Sequence, residues 1–318
     1  MGTTPILLTG TSHPTFAKQL AKELGISLGR LHVDRFEDGE IHVELKESVE
    51  GQHVFVVQSC YTPSAEYLLE LCLILRAVRD NAPASLTAVL PFMCYRRQER
   101  KLTPGEAVGA ELVTQMIEIA GATSSIAVDL HATTNETFFT GNLIHIPTWD
   151  LLANATRELL GDISNLTIVG PDEGSRNRAS SVAHRLDVPL AIMNKKRPNH
   201  DTVVITDFAG DVENRDLLLV DDEICTANTT IAAAKRLRKM GANRIFLAAT
   251  HPVLTQSAAH DLNKSLVEHV ITTDTIPHTT SELPEQTTVV SVVPLVANAI
   301  REQLYTSEHL PNAIEHAL

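Results

Sequence analysis

The sequence predicts an α/β fold of two similar domains, each with a parallel, doubly wound sheet, and three observations support this prediction. Apolar runs of strand length alternate with amphipathic segments of helix length, which is the pattern of parallel α/β domains. Residues 217–220 are consecutive apolar residues, as expected of a strand that is buried on both faces. The order of strands and helices also recurs at a spacing of about 163 residues.

The recurrence is clearest around two strands and the helices that follow them. Residues 55–62 align with residues 218–226 if one residue of slippage is allowed, and each segment precedes a helix and then another strand. The repeat predicts an internal duplication with a boundary near Pro147, which gives domains at 1–147 and 148–318. The alternative is that any two strand–helix–strand segments look alike.

Composition limits the classes of function. The net charge of −13 argues against nucleic acid as a partner. No apolar run approaches the ~18 residues of a membrane-spanning helix. The four cysteines show neither metal-ligand spacing nor the pattern of a secreted disulfide framework. We therefore expect a cytoplasmic protein with free thiols and no membrane contact, whose phosphorylated ligands would meet local basic clusters.

The segment that follows residues 217–220 predicts a phosphate-binding turn. Asp221 and Asp222 stand at the predicted end of the strand, and small hydroxyl residues lead into a helix predicted at 231–240. Free backbone amides at a helix start suit a phosphate monoester, and paired carboxylates suit sugar hydroxyls or a hydrated Mg²⁺ ion. The alternative is an ordinary turn in which Asp and Thr only cap the helix. Asn228 is compatible with such a turn, since Asn tolerates a left-handed backbone best among non-glycine residues.

Several other polar segments lie at the ends of predicted strands, and each has an ordinary interpretation beside the functional one. The cations within residues 96–101 follow a predicted strand at 86–91, where they would face either polyphosphate or solvent. His131 suits a metal, a phosphate or a structural role, and Asp172 suits a phosphate or Mg²⁺. The cations within residues 195–197 lie on a predicted loop that either closes over a substrate or stays at the surface.

Together these segments resemble the ribose-phosphate diphosphokinase family, whose members synthesise phosphoribosyl diphosphate (PRPP), over nearly the whole chain. Residues 35–40 alone predict only a solvated turn before an edge strand, but they gain meaning from the ordered set. The motifs that carry the resemblance are Arg35-Phe-Glu-Asp-Gly-Glu40, Tyr95-Arg-Arg97-Gln98, Asp129-Leu-His131-Ala, Pro171-Asp172-Glu-Gly174, Lys195-Lys-Arg197-Pro198 and Val220-Asp-Asp222.

The resemblance implies two domains of the phosphoribosyltransferase type and a specific reaction. The diphosphoryl group of ATP would be transferred to the 1-hydroxyl of ribose 5-phosphate, giving PRPP and AMP, with Mg²⁺ as cofactor. The N-terminal domain would bind ATP and the C-terminal domain ribose 5-phosphate, in a homo-oligomer that is a hexamer or is built from dimers.

The resemblance also implies a role for each matching residue. The implied contacts are, for ATP, Phe36, Asp38, Gly39, Glu40, Arg97 and Gln98; for ribose 5-phosphate, Asp221, Asp222, Cys225, Thr226, Ala227, Asn228 and Thr229; for Mg²⁺, His131 and Asp172; and for catalysis, Lys195 and Arg197.

Two positions of the predicted turn depart from the family pattern. Cys225 stands where Asp or Thr is usual, and Asn228 where Gly is usual. The departures motivate a second hypothesis, a catalytically weak or inactive regulatory subunit associated with such an enzyme. The presence of the matching catalytic, metal and sugar-binding residues argues against it: Lys195, Arg197, His131, Asp172, Asp221 and Asp222. A third hypothesis is a phosphoribosyltransferase that consumes PRPP, but it leaves Arg97 and Gln98 without a purpose.

Overall fold

The computed structural model describes residues 4–199, 202–255 and 257–309, without the side chains of 194–199, 202–209 and 307–309. The chain divides into two compact units. Unit 1 comprises Met1–Ile146 and Val293–Leu318, and unit 2 comprises Pro147–Val292. No helix within the described ranges is both long and apolar enough to cross a membrane.

Unit 1 is built on a five-stranded parallel sheet in the order β1-β4-β5-β6-β7, with a separate antiparallel pair, β2 and β3. Its elements are β1 (Ile6–Thr9), α1 (Pro14–Leu24), β2 (Leu31–Arg35), β3 (Ile41–Leu45), β4 (His53–Val57), α2 (Ser64–Arg79), β5 (Ser85–Leu90), α3 (Gly109–Ala120), β6 (Ser124–Val128), a 3-10 helix (Thr133–Phe138), β7 (Asn142–Ile146) and the C-terminal α8 (Val293–His309).

Unit 2 contains a seven-stranded sheet in the order β10-β9-β8-β11-β12-β13-β14, in which only β10 is antiparallel to its neighbour. Its elements are α4 (Trp149–Leu160), β8 (Leu166–Gly170), α5 (Arg176–Leu186), β9 (Leu190–Asn199), β10 (Thr202–Ala209), β11 (Asp216–Glu223), α6 (Asn228–Lys239), β12 (Ile245–His251), α7 (Ala258–Asn263), β13 (His269–Thr273), a 3-10 helix (Thr280–Glu282) and β14 (Thr287–Val290).

The order of elements from β1 to β7 repeats from β8 to β14, including the extra strand pair and the 3-10 helix. The predicted α/β class with two similar parallel-sheet domains is confirmed. In each repeat the last strand is followed by a helix that belongs to a different unit from that strand. The helix after β7 is α4, which packs on α5 of unit 2, and the helix after β14 is α8, which packs on α1 of unit 1.

The position of α8 differs from the predicted domain at 148–318, because its apolar face and a polar anchor both belong to unit 1. Val296 and Ile300 are fully buried. The Gln303 amide donates 2.8 Å hydrogen bonds to the hydroxyls of Thr87 and Ser124, on neighbouring strands of the unit 1 sheet. The return of α8 makes unit 1 discontinuous in sequence.

Strand β9 also extends further than the sequence indicated. We predicted a strand at 190–193 followed by a loop that carries Lys195 and Arg197. The strand runs on to Asn199 and pairs with β10 in antiparallel register, with Lys195 opposite Ile205. The predicted loop is therefore the outer part of a strand pair.

Candidate active site

The central feature of unit 2 is β11, which lies between β8 and β12. Its residues 216–220 are buried, as the apolar run predicts. The ladder continues through both aspartates to Glu223, which pairs with His251. Asp221 and Asp222 therefore lie within the last three residues of β11, and not directly after the apolar strand as the sequence indicated.

Residues 225–230, named the phosphate turn from here on, follow β11 and extend into the first turn of α6. Among the residues that the structure describes, no acceptor is paired with any backbone N–H group of this turn. The next amide along the chain, that of Ile231, donates to the Ala227 carbonyl over 2.9 Å. Six such amides at the start of a twelve-residue helix are donors of the kind that anion sites use.

The segment after β12 is hydrogen-bonded to the start of the phosphate turn. The amides of Leu254 and Thr255 donate to the carbonyls of Ile224 and Cys225 over 2.8 and 3.0 Å. The Cys225 sulfur lies 3.4 Å from the Thr255 hydroxyl oxygen. Cys225 therefore contacts the segment after β12 with its side chain, and it leaves the amides of the turn free.

The left-handed residue of the phosphate turn is Ala227, with φ of 59°. Asn228 does not use its tolerance of this conformation, because it is the first residue of α6 and is helical. Alanine has no side chain that could compensate for a left-handed backbone, so the turn holds local strain.

The two aspartates lie in an environment that disfavours two negative charges. Burial raises the pKa of Asp221 well above its ordinary value, and the carboxylates of Asp222 and Asp172 raise it further. The Arg178 guanidinium opposes this rise. Such a group of carboxylates is stabilised by hydroxyl donors or a cation, which is the chemistry of a sugar or a hydrated metal.

Arg178 is a residue that sequence reasoning missed. It is buried, and its guanidinium lies 5.7 Å from the centre of the Trp149 ring. The sequence gave no signal for it, because two arginines stand close together in this segment. The other one, Arg176, is exposed and pairs with Glu173. Burial distinguishes the two arginines, and sequence spacing does not.

Asp172 lies in a compact turn between β8 and α5. Its carboxylate accepts the Ser175 amide over 2.9 Å, and the Ser175 hydroxyl donates to its carbonyl over 2.7 Å. Gly170 precedes this turn at the end of β8, where an added Cβ would lie 2.8 Å from Ile192 Cδ1. A larger residue there would require the Ile192 side chain to shift, so glycine suits this close approach before Asp172.

The equivalent position in unit 1 is filled by the protein's own side chains. Gln58 and Ser59 occupy the place of the two aspartates after β4, and both are fully buried. The Gln58 amide donates to Glu70 over 2.8 Å and its carbonyl oxygen accepts the Ser12 hydroxyl over 2.7 Å. Glu70 in turn accepts the Thr11 amide over 2.6 Å. The phosphate turn is therefore a property of unit 2.

The predicted ATP residues of unit 1 lie on exposed loops. Arg97 and Gln98 are exposed in the turn after β5, which is closed by a hydrogen bond from the Gln98 amide to the Tyr95 carbonyl over 2.8 Å. Arg96 differs from the expectation that these cations face solvent or an anion. It is 1% exposed and lies 5.3 Å from the centre of the Phe92 ring.

The other predicted ATP residues, Phe36, Asp38, Gly39 and Glu40, form the tip of the β2–β3 pair. The tip is closed by hydrogen bonds between Phe36 and Glu40 and between Gly39 and Phe36, both 2.9 Å. Phe36 is 55% exposed and its ring centre lies 5.0 Å from that of His42. An exposed aromatic ring suits a nucleobase.

His131 follows β6 and is half-buried. It comes after Asp129, which is fully buried with φ of 41°, and Leu130. His131 belongs to unit 1 and Asp172 to unit 2. The side chains of Lys195 and Arg197 lie outside the described residues, and their backbone lies in β9.

The fold and this site define a class: a chain of two parallel-sheet α/β units, the second of which has a phosphate turn beside paired carboxylates. Comparison with known proteins identifies the family. Residues 5–121 match the family model of the N-terminal domain of ribose phosphate pyrophosphokinase, and residues 195–312 match that of the phosphoribosyl synthetase-associated domain.

Curated relatives and a solved structure agree with these matches. The chain is 37% identical over 290 residues to a ribose-phosphate pyrophosphokinase of Listeria ivanovii, with 91% of both chains covered. It is 38% identical over 295 residues to that of Caldanaerobacter subterraneus subsp. tengcongensis, covering 92% and 93%. The crystal structure of phosphoribosylpyrophosphate synthetase from Mycobacterium smegmatis matches with a TM-score of 0.89 and 35% identity, covering 95% of this chain and 100% of that one. The chain belongs to the ribose-phosphate pyrophosphokinase family.

Proposed function

We propose that this chain transfers the diphosphoryl group of ATP to the 1-hydroxyl of ribose 5-phosphate, giving PRPP and AMP. The observation that carries the proposal is the phosphate turn, whose six amides are free of acceptors among the described residues and lie next to Asp221 and Asp222. Membership of the ribose-phosphate pyrophosphokinase family supports the same activity.

The sugar phosphate is assigned to unit 2. The 5-phosphate would accept hydrogen bonds from the amides of residues 225–229, supported by the positive end of the α6 dipole. Asp221 and Asp222 would accept hydrogen bonds from the ribose hydroxyls, which relieves the repulsion between their carboxylates. Each group of the substrate then has a partner of complementary chemistry.

The nucleotide is assigned to unit 1. Phe36 offers an exposed ring for stacking on adenine, and Asp38 and Glu40 offer acceptors for its amino group. Arg97 and Gln98 offer donors to the phosphates from an exposed turn. We propose that the β2–β3 tip, which carries Phe36, serves ATP across a contact between copies in a homo-oligomer, a hexamer or an assembly of dimers.

In the reaction the 1-hydroxyl oxygen of ribose 5-phosphate attacks the β-phosphorus of ATP. The bond from that phosphorus to the α–β bridging oxygen breaks, the bridging oxygen leaves with AMP, and the hydroxyl proton is lost. Such transfers depend on positioning and charge stabilisation more than on covalent chemistry. We assign Lys195 and Arg197 as the cations that meet the charge that develops on the transferred group.

We assign Mg²⁺ contacts to Asp172 within unit 2 and to His131 within unit 1, each taken by itself. Asp172 fits a cation, because its half-buried carboxylate is close enough to Asp221 to raise the pKa of Asp221. The described part of the chain has no group of three or more His, Cys, Asp or Glu side chains arranged to hold a metal. Mg²⁺ often uses one or two protein ligands together with waters and substrate phosphates. When bound, Mg²⁺ neutralises phosphate charge. Such a reaction suits the cytoplasm, where we propose the protein acts.

The test is an assay of purified protein with ATP, Mg²⁺ and ribose 5-phosphate, in which AMP and PRPP are measured together. We expect equal amounts of both products, and no turnover after Mg²⁺ is chelated. Lys195→Ala is the matched inactive variant, with an expected loss of about 3–4 kcal/mol of transition-state stabilisation, or roughly 10²–10³ in rate. No AMP under any phosphate or metal condition would favour the regulatory subunit, and consumption of PRPP with a nucleobase would favour a phosphoribosyltransferase.

A further inference from the structure

We propose that Glu136 and His145 are positioning residues for nucleotide binding. They hold the segment that carries His131 through a hydrogen-bonded relay. The inference rests on the proposed function, in which His131 contacts the metal or the phosphates of ATP. It goes further by naming two residues that would not touch the substrate.

The geometry fixes the protonation of the His145 ring. The Leu130 amide lies 3.0 Å from His145 Nε2, and a backbone amide can only donate. Nε2 must therefore accept, so the imidazole is neutral and carries its proton on Nδ1. That nitrogen lies 2.8 Å from Glu136 Oε1, which accepts the hydrogen bond. The three groups form a relay with one consistent set of donors and acceptors.

The relay acts on a segment whose path is tightly specified. Asp129 leaves β6 with a left-handed φ of 41° while it is fully buried. The Asp129 amide donates to the Ile146 carbonyl over 2.9 Å, and the next amide, that of Leu130, donates to the His145 ring. Two consecutive amides are thus anchored to consecutive residues of β7, and His131 follows immediately. Supports of this kind set the direction of a ligand side chain.

The same short helix also supports the other nucleotide segment. Glu136 belongs to the 3-10 helix Thr133–Phe138, and so does Asn135, which is fully buried. The Asn135 amide donates to the Arg96 carbonyl over 2.9 Å, next to Arg97 in the turn assigned to ATP. The 3-10 helix therefore braces both unit 1 segments that we assign to the phosphates and metal. A relay that served only the stability of β7 would not need this second attachment.

The test separates positioning from folding. His145→Leu and Glu136→Ala remove the acceptor for Leu130 and the acceptor for His145. We expect each to weaken binding of ATP with Mg²⁺ about tenfold, measured by calorimetry without ribose 5-phosphate, while the affinity for ribose 5-phosphate stays unchanged. His145→Gln, whose amide oxygen can accept from Leu130, should recover most of the affinity. The control is His53→Leu, which removes a 2.7 Å contact to the Ser85 hydroxyl at the opposite end of the sheet.

A second measurement does not depend on catalysis or on mutation. Nuclear magnetic resonance of ¹³C- and ¹⁵N-labelled histidine should show the His145 ring as the neutral form with its proton on Nδ1. A proton on Nε2, or unchanged ATP and Mg²⁺ affinity in both disruptive variants, overturns the proposal. Equal weakening of both substrates would also overturn it, because that pattern reports general destabilisation. An inactive wild-type chain that binds ATP with the expected pattern would instead refute the proposed reaction and leave the relay supported.

Discussion

Ala227 shows how the phosphate turn combines strain with function at the scale of one residue. It has a left-handed backbone, and among the described residues the amides on both sides of it have no acceptor. Alanine is poorly suited to this conformation, which costs about 1–2 kcal/mol for a non-glycine residue. Strained residues of this kind are concentrated at ligand sites.

We predict that Ala227→Gly raises the free energy of unfolding by about 0.5–1 kcal/mol, because glycine adopts the left-handed region without a Cβ clash but loses more entropy on folding. Asn228→Gly should give no such gain, since Asn228 is helical. The measurement is chemical denaturation of both variants. Stabilisation by Asn228→Gly and not by Ala227→Gly would show that the strained position is misplaced.

Asp221, which we assign to the ribose hydroxyls, lies where its negative charge lowers the stability of the fold. The folded pKa of Asp221 is raised by burial and by Asp222, so its contribution to stability is fully present below about pH 4, where an unfolded Asp titrates. The contribution is lost as the pH rises through the folded pKa. An uncharged side chain of the same shape would avoid this loss.

We therefore predict that Asp221→Asn is more stable than the wild-type chain without ligands, by a margin that is larger at pH 8 than at pH 5. The same variant should bind ribose 5-phosphate at least tenfold more weakly, because a hydrogen bond to a charged group contributes about 1.5–3 kcal/mol. Denaturation at both pH values and calorimetry test this, with the exposed Glu158→Gln as control. A variant less stable at pH 8 would contradict the account.

At the scale of one element, β11 is anchored at its start by Asp216. Its carboxylate accepts hydrogen bonds from Asn243 over 2.7 Å and from the Arg244 guanidinium over 2.6 Å. Burial alone would raise the pKa of Asp216, but these contacts outweigh it and the pKa lies below its ordinary value. Asp216 thus joins the starts of β11 and β12, the two strands behind the phosphate turn.

We predict that Asp216→Asn lowers the free energy of unfolding by about 1–3 kcal/mol at pH 7. The folded pKa is depressed, so the contribution of Asp216 is present above about pH 4 and is lost as the pH falls through the folded pKa. The difference from wild type should therefore shrink below pH 4. Denaturation at pH 7 and pH 3 checks this, with the exposed Glu285→Gln as control; a difference that grows in acid would refute it.

The elements also show what sequence patterns can specify. The buried strand before the aspartates and the helix after them were predictable, because burial on both faces and helix periodicity are local properties. The left-handed residue, Ala227, was not predictable. Its backbone conformation depends on the whole turn, which is bonded to Leu254 and Thr255 from a distant part of the sequence. The length of β9 was not predictable either, because in the described part of the chain its charged half pairs with β10 and with no other strand.

At the scale of the whole molecule, the helix that follows the last strand of each unit belongs to the other unit. Helix α4 continues from β7 but packs in unit 2, and α8 continues from β14 but packs in unit 1. The sequence indicated the repeat and an amphipathic tail. It could not indicate which sheet the tail covers, because an apolar face fits any apolar surface and the Gln303 contacts are specified only in three dimensions.

We predict that a fragment of residues 147–292 folds cooperatively, because unit 2 is continuous in sequence. A fragment of residues 1–146 should not, since it lacks the buried Val296 and Ile300 of α8, which contribute about 3–6 kcal/mol of burial, a large part of a typical domain's stability. Adding residues 293–318 as a separate peptide should restore its cooperative unfolding. Thermal melts followed by circular dichroism test this, and a stable 1–146 fragment would contradict it.

The most direct test of the central claim follows one oxygen atom. ATP with ¹⁸O in the α–β bridge is incubated with the protein, Mg²⁺ and ribose 5-phosphate, and the products are resolved by ³¹P nuclear magnetic resonance. Attack of the 1-hydroxyl on the β-phosphorus predicts that the ¹⁸O appears in AMP and that PRPP forms in equal amount. ¹⁸O in PRPP, or AMP formed without PRPP, would contradict the account.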